Sequence, residues 1–195
     1  MTAQTPLTTQ THLSRLSPLA TISGHVRFQA IGRDLLRQKA KDAAQNARLR
    51  EIHVLHADDA DPLHRMLNAL QPGTYARPHR HLDPPKSEGF VILQGAAGIV
   101  LFEQDGPERG EEYILLNQRR GDLIADVRHG VWHTILALEP DTVLYEVKPG
   151  PYSPVTDKDF APWAPEAGSN EAVDYLRDLE RRFRSSCGLN GIAGR

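Results

Sequence analysis

From Ile52 to Lys148 the chain consists of short runs of Val, Ile, Leu, Phe and Tyr cut by clusters of turn-forming residues. Runs this short cannot make stable helices, but they suit strands that pair side by side, so the pattern predicts an antiparallel all-β domain. Strands are expected near 52–56, 64–70, 74–81, 88–94, 97–103, 112–117, 121–125, 132–138 and 142–148. Turns are expected at Gln71-Pro72-Gly73, Asp83-Pro84-Pro85, Gln94-Gly95, Asp105-Gly106-Pro107 and Glu139-Pro140-Asp141, where Gly and Pro supply the angles of a reversal. About nine strands of this kind close most readily into a jelly roll or barrel.

The flanks read differently. Residues 31–48 carry Leu35, Leu36, Ala40, Ala43 and Ala44 among charges with no proline, which predicts an amphipathic capping helix. A second helix is expected over 171–184, with Val173, Leu176, Leu179 and Phe183 on one stripe. The segment 149–165 is rich in proline and carries Tyr152, Phe160 and Trp163, so it is expected to lie extended over the barrel. The expected divisions are a mobile N-terminal arm at 1–28, a capping helix at 29–50, the barrel at 51–165, and a C-terminal helix and tail at 166–195.

Bulk properties narrow the function. The chain has 195 residues, enough for one domain with a proper core, and 23 Lys and Arg against 25 Asp and Glu. A net charge of -2 gives no general pull toward nucleic acid or an anionic membrane, so a small-molecule ligand is the expected partner. The lone Cys187 cannot form an internal disulfide, and no run approaches the roughly 18 apolar residues of a membrane span, which points to the cytoplasm. No nucleophile elbow, phosphate-cradling glycine loop or thiol cluster is present, so serine hydrolase, nucleotide-dependent kinase and zinc-finger chemistry lack support.

His79-Arg80-His81 is the most informative tripeptide. Alternate residues of a strand share a face, so two imidazoles spaced in this way can grip one ion. Glu88 follows across the Asp83 to Ser87 turn, and His133 heads a later apolar strand. His53, His56 and His64 are read as structural or pocket-lining. The same alternation puts Arg77 and Tyr75 on the face of His79. An inward Arg77 needs an anion, either Glu146 or a carboxylate or phosphate on a ligand, and Tyr75 is either core or a pocket donor.

These positions match the two motifs of the cupin superfamily, which the chain resembles across its β region. Gly73, His79, His81, Glu88 and Gly95 supply the first motif, with six residues rather than three or four between His81 and Glu88. Gly121, Gly130 and His133 supply the second, with Val127 in place of proline and Ala137 in place of asparagine. A narrower resemblance is to the WbuC-type cupin fold metalloproteins of bacteria. It is carried by Arg48-Leu49-Arg50, Leu55-His56, Arg65-Met66, the run from Gly73 to His81, the run from Tyr145 to Tyr152, and Phe160 to Pro165. The resemblance implies a cupin jelly-roll barrel with flanking helices, holding one divalent metal ion (Fe, Mn, Ni or Zn) through His79, His81, Glu88 and His133. Three His and one Glu leave a coordination position open, which favours an isomerase or dioxygenase on a sugar-like, carbonyl or carboxylate substrate. A non-catalytic ligand binder and a structural metalloprotein are the alternatives. Strand 88–94 is apolar on both faces, so the two helices, a second subunit or both must cover it, and a homodimer is expected.

Overall fold

The computed structural model describes residues 12–24, 27–103 and 110–189. Its elements in chain order are β1 (His12–Ser17), β2 (Ala20–Gly24), α1 (Arg33–Gln45), β3 (Arg50–Val54), β4 (Leu63–Leu70), β5 (His79–Arg80), β6 (Glu88–Gln94), β7 (Ala96–Phe102), β8 (Glu111–Asn117), β9 (Ile124–Val127), β10 (Trp132–Ala137), β11 (Thr142–Pro149), β12 (Asp159–Phe160) and α2 (Asn170–Ser186). The strands form one sheet in the order β1-β2-β3-β4-β11-β6-β9 and another in the order β12-β5-β10-β7-β8. Every pairing is antiparallel except β2 with β3.

The two sheets face each other, and the period-2 alternation of their strands fills the space between. Leu70, Phe90, Ile92, Ala125, Val127 and Leu144 come inward from the first sheet to meet Ala97, Ile99, Leu116 and Ala137 from the second. This is a jelly roll, with a helix on each outer face. Helix α1 lays Leu36, Ala40 and Ala43 on Leu67, Ala69 and Val143 of the first sheet. Helix α2 packs Leu176, Leu179 and Phe183 against Val100, Trp132 and Leu136 of the second. Ser169 caps α2 by accepting a hydrogen bond from the Ala172 amide at 3.2 Å. No helix among the described residues is long and apolar enough to cross a membrane.

Several expectations change. Residues 12–24, read as part of a mobile arm, form the β1–β2 hairpin, which adds to β3 and is pinned by Arg15 to the buried Glu51 at 2.8 Å. The rest of the arm, residues 1–11 and 25–26, and the Asp105-Gly106-Pro107 turn lie outside the described residues. The strand expected over 74–81 shrinks to His79–Arg80, and the one expected at 121–125 begins at Ile124. On α2 the buried stripe runs through Ala172 rather than Val173, which is 65% exposed. The outer face of β6 is not covered by α2, which lies on the other sheet. Instead α1 leaves a cavity of about 590 Å³ beside Leu93 and Tyr145.

The β6–β7 reversal depends on a glycine. Gly95 has φ of 72°, and a Cβ there would stand 2.6 Å from Thr142 Oγ1. That hydroxyl donates to the Ala96 carbonyl at 3.0 Å and ties β11 to the turn.

Candidate metal centre

His79 from β5, Glu88 from the first residue of β6 and His133 from β10 come together with His81, which follows β5. His79 and His133 stand directly opposite each other in the β5–β10 ladder. All four side chains are buried, and one ligand atom from each lies within 4.8 Å of the others. Six residues separate His81 from Glu88, and the longer turn does return the carboxylate to the imidazoles.

The ring nitrogens are already assigned by their partners. His79 Nδ1 donates to the Arg77 carbonyl at 3.0 Å, His133 Nδ1 to the Val131 carbonyl at 2.9 Å, and His81 Nδ1 to the Asp157 carbonyl. A carbonyl only accepts, so each proton sits on Nδ1 and each neutral ring turns a bare Nε2 lone pair to the centre. His81 Nε2 lies 2.9 Å from Glu88 Oε1, and His133 Nε2 lies 3.0 Å from Glu88 Oε2. Ligands at right angles about 2.1 Å from one ion stand about 3 Å apart, so these spacings fit atoms sharing an ion. His79 Nε2 is buried without any hydrogen-bond partner, as metal ligands are before loading. The residues therefore fit a divalent ion.

Burial drives the His79 pKa well below the usual histidine range, helped by the Lys158 and His133 charges and opposed by Glu88. For Glu88, burial resists ionisation, but the adjoining His133 and His81 imidazoles and the Lys148 charge outweigh it and hold the carboxyl well below the usual carboxylate range. Both shifts favour the forms that bind metal: neutral imidazole and charged carboxylate.

A charged layer surrounds the cluster. Lys148 on β11 approaches Glu88 at 3.3 Å and Asp157 at 3.0 Å, and Asp157 also binds Lys86 at 2.9 Å. The Glu146 carboxylate accepts from Asn68 Nδ2 and lies 3.9 Å from Lys148. Burial and the Glu88 charge push its pKa up.

Two candidate pocket residues are placed differently from the expectation. Tyr75 packs with the outer-face cluster under α2, and its hydroxyl donates to the Pro165 carbonyl at 2.8 Å. Arg77 does not pair with Glu146. It lies 3.9 Å from Glu166 and stacks over Phe160 at 5.3 Å. The reason is local: residues 74–78 are not a strand, so two-residue alternation does not extend back from His79. His56 and His64 stack on each other at 4.0 Å, and His53 is buried beneath α1, so none joins the cluster.

Sequence reasoning missed Lys148, Lys86 and Asp157. Lys148 was within reach, since it shares the face of Glu146 two residues earlier on one strand. Asp157 lies in an irregular segment where no periodicity marks a buried charge.

Fold and cluster together define a jelly roll with a buried group of three histidines and one glutamate. A domain of unknown function, DUF6016, matches residues 31–114, less than half the chain. No curated protein matches. Among solved structures the chain is similar to the capsular polysaccharide assembling protein CapF from Staphylococcus aureus, with 18% identity and a TM-score of 0.45 over 57% of this chain and 31% of that one. It is also similar to oxalate decarboxylase from Bacillus subtilis, with 19% identity and a TM-score of 0.40 over 52% of this chain and 24% of that one. For KdgF from Halomonas sp. the identity is 22% and the TM-score 0.40, over 53% of this chain and 82% of that one. The matched region thus spans a third or less of the CapF and oxalate decarboxylase chains.

Proposed function

We propose that the protein is a divalent-metal cupin of the WbuC type that acts as a cytoplasmic enzyme on a small sugar-like, carbonyl or carboxylate substrate. The observation that carries the metal assignment is the commitment of all three Nδ1–H groups to main-chain carbonyls, which leaves three Nε2 atoms directed at one carboxylate. His79, His81, Glu88 and His133 would hold Fe, Mn, Ni or Zn, and such an ion polarises a substrate oxygen or binds dioxygen. Four protein ligands, each giving one atom, leave two positions free on a six-coordinate ion, in contrast with a closed structural zinc site. Glu146, two residues from Lys148 on β11, would touch a bound ligand, a reading supported by its burial beside Lys148 and Asn68. Arg77 sits by the rim beside Phe160, where it contacts only ligands that extend outward.

The test is metal content. Wild type purified anaerobically should carry about one ion per chain by plasma mass spectrometry. His81→Ala should lose most of it while circular dichroism shows a folded barrel, and His64→Ala should retain it. Equal metal in wild type and a folded His81→Ala would refute the assignment. Water proton relaxation of the Mn(II)-loaded protein then reports whether a coordination position exchanges with solvent, which a closed structural site does not allow.

A further inference from the structure

Asp157 lies in a segment otherwise turned to solvent. From Pro151 to Phe160 it is the one buried residue, in a turn whose Thr156 and Asp157 amides donate to the Ser153 carbonyl at 3.2 and 2.9 Å. Both ends of the segment are fixed. The Gly150 and Tyr152 amides donate to the Pro62 and Asp59 carbonyls at 3.0 and 2.8 Å, and Asp159 and Phe160 pair with Arg80 and His79 as β12. Between those ends, every hydrogen bond and ion pair from residues 153–158 to the rest of the described protein passes through Asp157. Lys86 closes the loop on itself: its ammonium donates to the Pro151 carbonyl at 2.6 Å and to Asp157 Oδ1 at 2.9 Å. Lys148, from β11, donates to Asp157 Oδ2 at 3.0 Å.

The same segment bears on the metal centre at its least constrained member. His79 and His133 are held in the β5–β10 ladder, and Glu88 in the β6–β9 ladder. His81 lies beyond the end of β5, and the hydrogen bond that orients its ring goes to the Asp157 carbonyl. The four side chains are no more than 5% exposed. An ion with its water shell cannot pass side chains so covered, so loading requires a movement. The element suited to move is the one that rests on His81 through a single residue and belongs to no strand or helix.

We propose that residues 153–158 gate the metal centre, with Asp157 as the positioning residue that holds His81 and Lys86 as the clasp that keeps the segment closed. The inference rests on the metal reading of the cluster, and it names the route by which the ion enters and leaves. When the segment lifts, the His81 ring loses its main-chain acceptor and is free to turn from the other three ligands. When it closes, the carbonyl restores the tautomer that presents Nε2 to the ion. Opening breaks the contacts of one buried carboxylate with two buried ammonium groups together, so the closed form dominates. A gate scales entry and exit by the same open fraction, so it sets the rate of exchange and leaves the affinity unchanged.

In the experiment, zinc-loaded protein is mixed with excess chromogenic chelator, and loss of the ion is timed in wild type, Lys86→Met and Asp157→Asn. Both variants should release zinc faster, by roughly tenfold or more, while their equilibrium affinity, from competition with the same chelator, stays that of wild type. An elastase-type protease acting on metal-free protein should cut beside the exposed Val155, and faster in both variants, because cleavage samples the open segment. Phe183→Ala, which loosens the packing under α2, should change neither rate and so separates the gate from general loss of stability. If Lys86→Met does not fold by circular dichroism, Asp157→Asn decides the matter. Zinc release at the wild-type rate in the folded variants overturns the gate and leaves the metal reading intact. Faster release with a matching loss of affinity also overturns it, since the two residues then support the ligand set alone. Protein that takes up no zinc refutes the metal reading, and the gate falls with it.

Discussion

Asp157 meets His81 through its main chain, accepting the Nδ1–H of the imidazole on its carbonyl, while its side chain turns away to hold two lysines. One residue thus sets the tautomer of a metal-ligand candidate and neutralises the charges beside it. The carbonyl survives any substitution, but the carboxylate does not.

Asp157→Ala should therefore leave His81 oriented but take the shared carboxylate from Lys86 and Lys148, which are 3% and 6% exposed, leaving Lys86 only the Pro151 carbonyl and Lys148 the more distant Glu88 and Glu146. Removing one partner of a buried ion pair costs about 3–5 kcal/mol, so the urea midpoint should fall by that equivalent. A loss under about 1 kcal/mol would show that the lysines find other partners.

Stability should decline on acidification through His53. Its Nδ1 accepts from the Thr21 hydroxyl, whose oxygen in turn accepts from Lys39, so its Nε2–H donates to Ser23. Burial and the Lys39 charge lower its pKa to about 4, below the ordinary 6.5. Between these values the unfolded chain binds a proton that the folded one refuses. The stabilisation is complete above about 6.5 and is lost as pH falls toward 4, by about 3 kcal/mol in all. The difference between wild type and His53→Gln across that window, from denaturant curves at each pH, isolates this residue from the similarly lowered His64 and His79.

Phe183 lies on Gly98, where a Cβ would come within 2.6 Å of the ring. Phe183→Ala should cost about 3–5 kcal/mol by leaving a cavity under α2. Gly98→Ala should cost about 1–3 kcal/mol by overpacking. Because the two act on the same space, Gly98→Ala should be nearly harmless in the Phe183→Ala background, and thermal melts of the four proteins measure that coupling. Additive losses would mean the ring and the glycine do not share the strain.

A homodimer is the expected assembly. Helix α1 covers β3, β4 and β11 but stops short of β9, an edge strand whose Ile124 is 61% exposed next to Leu123 at 54%. Sedimentation should give twice the chain mass at tens of micromolar and Ile124→Lys the single mass. A wild-type monomer at that concentration would remove the expectation.

Much of this was legible in the sequence because the core strands obey their period. Strands β4, β6, β7, β8, β10 and β11 fall within a residue or two of the runs of apolar side chains, and the four ligand candidates follow from motif order. The N-terminal hairpin was not legible. As the outermost pair of its sheet it is held by backbone hydrogen bonds and the Arg15–Glu51 contact, which a polar composition of Ser, Arg and Thr does not announce. Tyr75 was misplaced because the chain leaves extended pairing before His79. The lysine layer was hidden because buried charge has no sequence pattern of its own, and its partners come from β11 and from an irregular segment nine residues further along.

Glu88 belongs to one sheet, while His79 and His133 belong to the other. Whatever occupies the space among them spans the seam of the sandwich at its open end, while the far end is already sealed by Ile92, Leu144 and Ile99. An ion held there would fasten the two sheets to each other as a rivet fastens two plates, so loading the site should stabilise the sandwich as a whole.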